Sequence, residues 1–260
     1  MRRWTVVLLG VILAFGMTAC GQDKALTFDE LVPKVAEASK EMKSFTMEGT
    51  VGQDITITQG DQKQNQKMDM TVKMDATVKP QEIYQEVKTK TPDNGEQEIK
   101  QYITDKGIYT NMDGQWMKLP DEQKELIMAS IGESTAPEKQ LERLKSVAKD
   151  TKVTVEGDEY IIKAEMSGDG VKELAKSLMS QSGGGQQAAM LDNMDIKNIK
   201  VEYAVNKKSL YLTKANVEMT MNMEVEGQSV SLEMKTKSNF SNYNKIEKIE
   251  VPQEALDSAA

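Results

Sequence analysis

The stretch Thr213 to Gly227 reads TKANVEMTMNMEVEG, and in it Val217, Met219, Met221, Met223 and Val225 stand at every second position. Glu218, Thr220, Asn222 and Glu224 fill the places between them. Side chains leave a pleated backbone on alternate sides, so period two marks a strand with one buried and one wet face. The residue on the buried side is unusual. Methionine is not among the β-branched and aromatic types that favour strands, yet it lines this face three times running.

The same pattern spreads outward in both directions. Phe45, Met47, Gly49 and Val51 alternate, and so do Met68, Met70, Val72, Met74, Ala76 and Val78, with Asp69, Thr71, Lys73, Asp75 and Thr77 opposite. The polar run GDQKQNQK (60–67) reads as the turn between these two strands. Glu82–Lys90 and Glu98–Thr104 are further strands joined through PDNGE. Asp105-Lys106-Gly107 and Asp113-Gly114 are compact hairpin signals. A strand pair follows around Glu156-Gly157-Asp158, then IKVEYAV, which turns at Asn206-Lys207-Lys208 into the opening stretch. Val230, Leu232, Met234, Thr236 and Phe240 carry one face of the last long strand.

Helices interrupt this series at few points. TFDE at Thr27 is a capping box with Glu30 at the third position, and Phe28, Leu31, Val35, Ala38 and Met42 follow at helical spacing. Pro33 suggests a kink or a later first turn. DEQKELIMASI after Pro120 and the segment opening at TAPE, with Leu141, Leu144 and Ala148 on one side, are two more. GDGVKELAKSLMSQ is a short helix carrying Val171, Leu174 and Leu178, followed by a Gly- and Gln-rich loop. No repeat of fixed period occurs. The expected fold is therefore α+β and mainly β: one curved antiparallel sheet with helices covering its concave face, as a single domain over residues 27–260.

The first residues point to a location. Arg2 and Arg3 precede an apolar run from Val6 to Phe15 that is too short to span a bilayer, and Thr18 and Ala19 lead into Cys20, the only cysteine. MTAC is similar to the lipobox of bacterial lipoproteins, with Met17 where Leu is usual. On this reading 1–19 is a lipoprotein signal peptide and 20–26 a short tether. Cys20 is then a diacylglyceryl anchor on the outer face of the cell membrane. A cleaved ordinary signal with a chance cysteine is the alternative. Basic residues fall from 33 to 31 when Arg2 and Arg3 leave with the leader; against 41 acidic residues the formal charge moves from −8 to −10. That sign argues against nucleic acid as a partner.

Enzymatic chemistry has little to work with. The chain has no histidine, which removes the commonest general base and zinc ligand, and its one thiol is assigned to the anchor. GESTA at Gly132 lacks the closing glycine of a nucleophile elbow, and Gly183-Gly184-Gly185 lacks the Lys-Ser/Thr of a phosphate loop. Asp192 and Asp195 are two acids without a calcium ligand ladder. No catalytic residue, metal or cofactor is expected, and a carbohydrate-active enzyme would need two inward carboxylates that the alternation does not supply.

What remains is methionine, 18 in all, with Met47, Met68, Met70, Met74, Met166, Met219, Met221, Met223 and Met234 on inward faces. An ordinary core that uses Met is one explanation. The other is a wall that moulds around an apolar partner, because the thioether side chain is unbranched, polarizable and rotates freely.

EASKEMKSF at the end of the first helix, the strand pair YITDKGIYTNMDGQWMKLP and the closing FSNYNKIEKIEVPQEA carry a family likeness. In these segments the chain resembles lipoproteins of Gram-positive bacteria within the LolA/LppX-like superfamily of lipid and lipoprotein carriers. The resemblance implies a half-barrel of about eleven strands, helices plugging its concave face, and an apolar cavity between. Expected ligand-facing residues are Met70, Met74, Met219, Met221, Met223 and Met234, with Leu174, Leu178 and Met179 as a movable gate. Two functions fit. One is an anchored binder of a lipid or another hydrophobic ligand; the other is a structural or regulatory envelope lipoprotein that binds a protein partner.

Overall fold

The computed structural model describes residues 26–258 except 93–94, 126, 129–136, 149, 168–170, 172–193 and 226. Eleven strands form one antiparallel sheet: β1 (Ser44–Gln59), β2 (Gln62–Val78), β3 (Gln81–Thr91), β4 (Gly95–Thr104), β5 (Gly107–Met112), β6 (Gln115–Leu119), β7 (Lys152–Glu156), β8 (Glu159–Met166), β9 (Met194–Asn206), β10 (Leu212–Val225) and β11 (Gln228–Ser241). Their spatial order is β6-β5-β4-β3-β2-β1-β11-β10-β9-β8-β7. The sheet is thus two meanders, β1 to β6 and β7 to β11, zipped together by the long-range pair β1·β11 from Thr46↔Ser241 to Thr58↔Ser229. It remains open, and its two edges are its shortest strands, five residues each, which limits the unpaired backbone on offer to other chains.

Hairpin chemistry follows the sequence closely. Asp113 and Gly114 both take positive φ, 51° and 88°, as a two-residue turn between Met112 and Gln115 requires. The turn joining β1 and β2 is much shorter than the polar run suggested. Gln59 pairs with Gln62, so only Gly60 and Asp61 turn, and Gln62–Lys67 are strand. Those residues are polar on both faces because this end of the hairpin is exposed on both sides.

Helix α1 (Phe28–Lys40) starts where the capping box places it. The Thr27 hydroxyl accepts from the Glu30 amide at 3.3 Å, and the Glu30 carboxylate accepts from the Thr27 amide at 2.8 Å. Pro33 does not delay or end the helix: it is exposed, and the cost is one missing i→i−4 hydrogen bond in the second turn. Helix α2 (Pro137–Val147) opens on proline, tolerated in the first turn. Thr135, where the TAPE segment opens, lies outside the described residues. After Pro120 the chain forms a 3-10 turn at Asp121–Gln123, and Lys124, Glu125, Ile127 and Met128 are helical.

The core lies between these helices and one face of the sheet. Phe28, Leu31, Val32 and Val35 of α1 and Leu141 and Leu144 of α2 cluster with Phe45, Met74, Ala76, Ile83, Ile103, Ile108, Ile162, Val201 and Phe240. Edge strands β6 and β7 flank the connection that carries α2, so that connection has the whole width of the sheet to cross. The other face holds a small second cluster that the sequence did not reveal. After β11 the chain runs across the outside of β3 to β6, where the Ile249 amide donates to the buried Glu82 carboxylate at 3.4 Å. It ends in α3 (Gln253–Asp257), with Val251 and Ala255 against Tyr109, and the Trp116 indole N–H donating to Glu254 at 3.1 Å.

Candidate functional site

Strand register places every inward methionine on the helix-covered face. Reading across the sheet, Met74 sits beside Met47 and Gln85; Met70 beside Val51 and Thr89; Met68 beside Gln53. Gln53 is followed by Met234 and Met219, Ile55 by Leu232 and Met221, Ile57 by Val230 and Met223. A bulge in β9 keeps this face apolar. Met219 pairs with Ile199 and Met221 with Ile196, so two isoleucines three positions apart in sequence both stay on it.

Burial divides these residues into two zones. Met74 is 2% exposed and belongs to the packed core beside α1, so of the expected wall residues it is the one without an accessible surface. Met47 and Met166 pack against the same core. Met68, Met70, Met219, Met221, Met223 and Met234 are half-buried and belong to neither cluster of described core residues. They lie beyond the row of Gly49, Ser238 and Ala215, where the strands outrun the core of α1 and α2. Leu174, Leu178, Met179 and Cys20 lie outside the described residues; Val171, from the same expected helix, is buried.

The electrostatics of the two faces differ completely. Apart from the bulged Lys197, every charged residue of the eleven strands falls on the outer face by register. There the charges pair along and across strands: Lys88 with Glu86 on its own strand at 3.2 Å and with Glu98 of β4 at 3.1 Å, and Lys163 of β8 with Glu202 of β9 at 3.1 Å. Hydrogen bonds to Glu98 and then Glu86 hold the Lys88 ammonium above its ordinary pKa, and those from Lys100 and Lys88 hold the Glu98 carboxyl below its own. Two open grooves on this side, of about 380 and 650 Å³, are floored by such charges, among them Glu48, Lys73 and Lys237 in one and Lys163, Glu165 and Glu218 in the other.

The helix-covered face carries neutral polar groups instead. Gln85 donates through its amide nitrogen to Gln101 at 2.9 Å, and Gln101 in turn to the Thr110 hydroxyl at 3.1 Å, a ladder over β3, β4 and β5. Nothing in the separate strand patterns announced it, because it depends on register. Gln53 stands alone in the methionine row, its amide nitrogen 4.0 Å from the sulfur of Met234. Burial raises the phenol pKa of Tyr203, which lines the core end of this face. Among the described residues no three His, Cys, Asp or Glu side chains stand close enough to hold a metal ion. No described helix is long and apolar enough to cross a membrane.

A family model described as a family of unknown function (DUF6612) matches residues 27–260. The chain belongs to this family. No curated protein matches it. Among solved structures, LprF from Mycobacterium bovis is 11% identical over 86% of this chain and 96% of its own, with a TM-score of 0.46. A DUF1329 family protein from Desulfovibrio piger is 10% identical over 86% and 93%, with a TM-score of 0.27. A putative outer membrane lipoprotein-sorting protein domain from Vibrio parahaemolyticus is 9% identical over 89% and 98%, with a TM-score of 0.22. None of these likenesses bears on activity.

Proposed function

We propose that this member of the DUF6612 family is a membrane-anchored, extracytoplasmic lipoprotein that binds a lipid or another hydrophobic ligand, and that it is not an enzyme. The observation that carries the reading is the half-buried apolar zone of Met68, Met70, Met219, Met221, Met223 and Met234, which shares the face of the core but not its packing. Apart from the bulged Lys197, which pairs with Asp195, the sheet offers no charge along that face, so an acyl chain laid there desolvates no strand carboxylate. Each methylene buried contributes about 0.8 kcal/mol before ordering costs. Thioethers suit such an occupant because their three rotors adapt to chains of different shape. The leader and Cys20 supply the anchor in this reading, and the absence of histidine supports a binding rather than a catalytic role.

The test is native mass spectrometry of the full chain released from bacterial membranes in mild detergent and incubated with the lipid extract of those membranes. A retained adduct of lipid mass is expected, and Met221→Glu should lose it while melting within a few degrees of the parent. A clean mass for the parent chain under conditions that preserve weak complexes would sink the ligand reading and favour an envelope protein partner instead.

A further inference from the structure

Lipid binding explains an apolar face and flexible side chains on it, but it makes no use of the sulfur lone pairs. Valine and isoleucine bury as well as methionine and sit better in strands. From the clustering of thioethers we infer that Met219, Met221 and Met234 form a binding site for a soft monovalent cation of the copper(I) or silver(I) type. Met219 and Met234 are direct cross-strand partners, and Met221 is diagonal to Met234 on the same face. Directly opposed residues have Cβ atoms roughly 4.5–5.5 Å apart, and diagonal neighbours roughly 7–8 Å. Three unbranched side chains can bring their sulfurs together over a triangle of that size.

The surroundings select for softness. A thioether carries no proton to lose and no charge, so it competes poorly for calcium, magnesium or zinc and well for copper(I). No strand carboxylate shares the face to attract a hard cation, and no histidine exists anywhere in the chain. The three methionines are half-buried, accessible to an ion yet partly shielded from water. Met234 is also held in place on the side away from Met219, where the Gln53 amide nitrogen lies 4.0 Å from its sulfur. Met68, one strand beyond Gln53, is a further thioether in the same row.

This inference stands apart from the lipid reading, because a silver adduct and a lipid adduct are separate masses. Met219→Leu with Met234→Leu preserves the apolar wall and removes two of the three sulfurs. The full chain in detergent is titrated with silver(I) nitrate in chloride-free buffer and followed by native mass spectrometry, with the lipid adduct read in the same spectra. One silver ion per chain is expected, with affinity at least tenfold lower in the double leucine variant and unchanged in Met74→Leu. Failure of the parent to retain an ion, equal affinity in the double leucine variant, or loss of the ion in Met112→Leu with Met117→Leu would overturn the site. Those last two residues are the exposed methionines of the β5–β6 edge and would account for adventitious binding.

Discussion

Met74→Ala and Met221→Ala remove the same atoms from the same face of the same sheet, and the structure assigns them different costs. Met74 is 2% exposed, with α1 and the first rows of β1 to β4 packed around it. Full burial of such a side chain contributes about 1.5–3 kcal/mol, and a closed cavity raises the loss for methionine to alanine to about 2–5 kcal/mol. Met221 is half-buried and outside the described core clusters, so its loss forfeits about half the transfer energy and leaves no sealed void. A figure near 1 kcal/mol follows. In a domain of this size each kcal/mol lowers the midpoint by about 2–4 °C. Thermal unfolding of the ligand-free chain should therefore show a fall near 10 °C for Met74→Ala and under about 4 °C for Met221→Ala. Equal large falls would mean that the outer methionine zone is packed core, and the binding-surface reasoning would fail with it.

Gly49→Val attacks the seam between the two meanders. A Cβ there would stand 2.8 Å from the Lys237 carbonyl oxygen and 3.0 Å from the Ser238 hydroxyl, so a loss of at least about 2 kcal/mol should appear in urea unfolding. Gln101→Leu interrupts the polar ladder between Gln85 and Thr110, leaving the amide of one and the hydroxyl of the other without this partner. Chemical denaturation should show a cost of about 1–3 kcal/mol, smaller in the triple variant Gln85→Leu, Gln101→Leu, Thr110→Val. Burial raises the phenol pKa of Tyr243, whose hydroxyl donates to the Leu212 carbonyl, and burial also raises that of Tyr203. A raised folded-state value means this stability is complete below pH 10, the ordinary tyrosine value, and is lost as pH rises beyond it. Melting temperature should thus be nearly flat from pH 6 to 9, where the chain has no histidine to titrate, and fall above 10. Tyr243→Phe should shrink that alkaline fall.

The parts of the fold legible in the sequence are those governed by neighbours. Alternation assigned Met219, Met221 and Met223 to one face without reference to any partner, and paired glycine or aspartate signals located the turns at Asp113-Gly114 and Gly157-Asp158. Gln62–Lys67 were illegible as strand because a hairpin that projects into solvent on both sides has no hydrophobic face to alternate. The β1·β11 seam joins residues about 180 apart in sequence, and nothing local distinguishes that pairing from any other. The bulge beside Met221, the Gln85–Gln101–Thr110 ladder and the passage of Ile249 to Ala255 over the outer face all depend on register or tertiary contact. Of the candidate site, its face and its methionines were readable. Its division at Met74 was not, since that depends on how far α1 reaches along the sheet.

That division explains the use of methionine better than either simple account does. A plain core would favour branched aliphatics, and the packed zone largely complies: Ile83, Ile103, Ile108, Ile162, Val201 and Val205 meet α1, α2 and one another there. Met42, Met74 and Met128 are the exceptions among the described core residues. Sulfur concentrates where β1, β2, β10 and β11 run on past the packed helices. A β-branched side chain in that zone would be fixed at χ1 and present a surface of one shape. A thioether can lie flat against its neighbours when the zone is empty and stand aside when it is filled, at little cost in either state. Replacing Met219, Met221 and Met223 together by isoleucine should then raise the melting temperature of the empty chain while narrowing the range of adducts it retains. A more stable chain that retains the same adducts as the parent would show that the flexibility of these side chains has no part in binding.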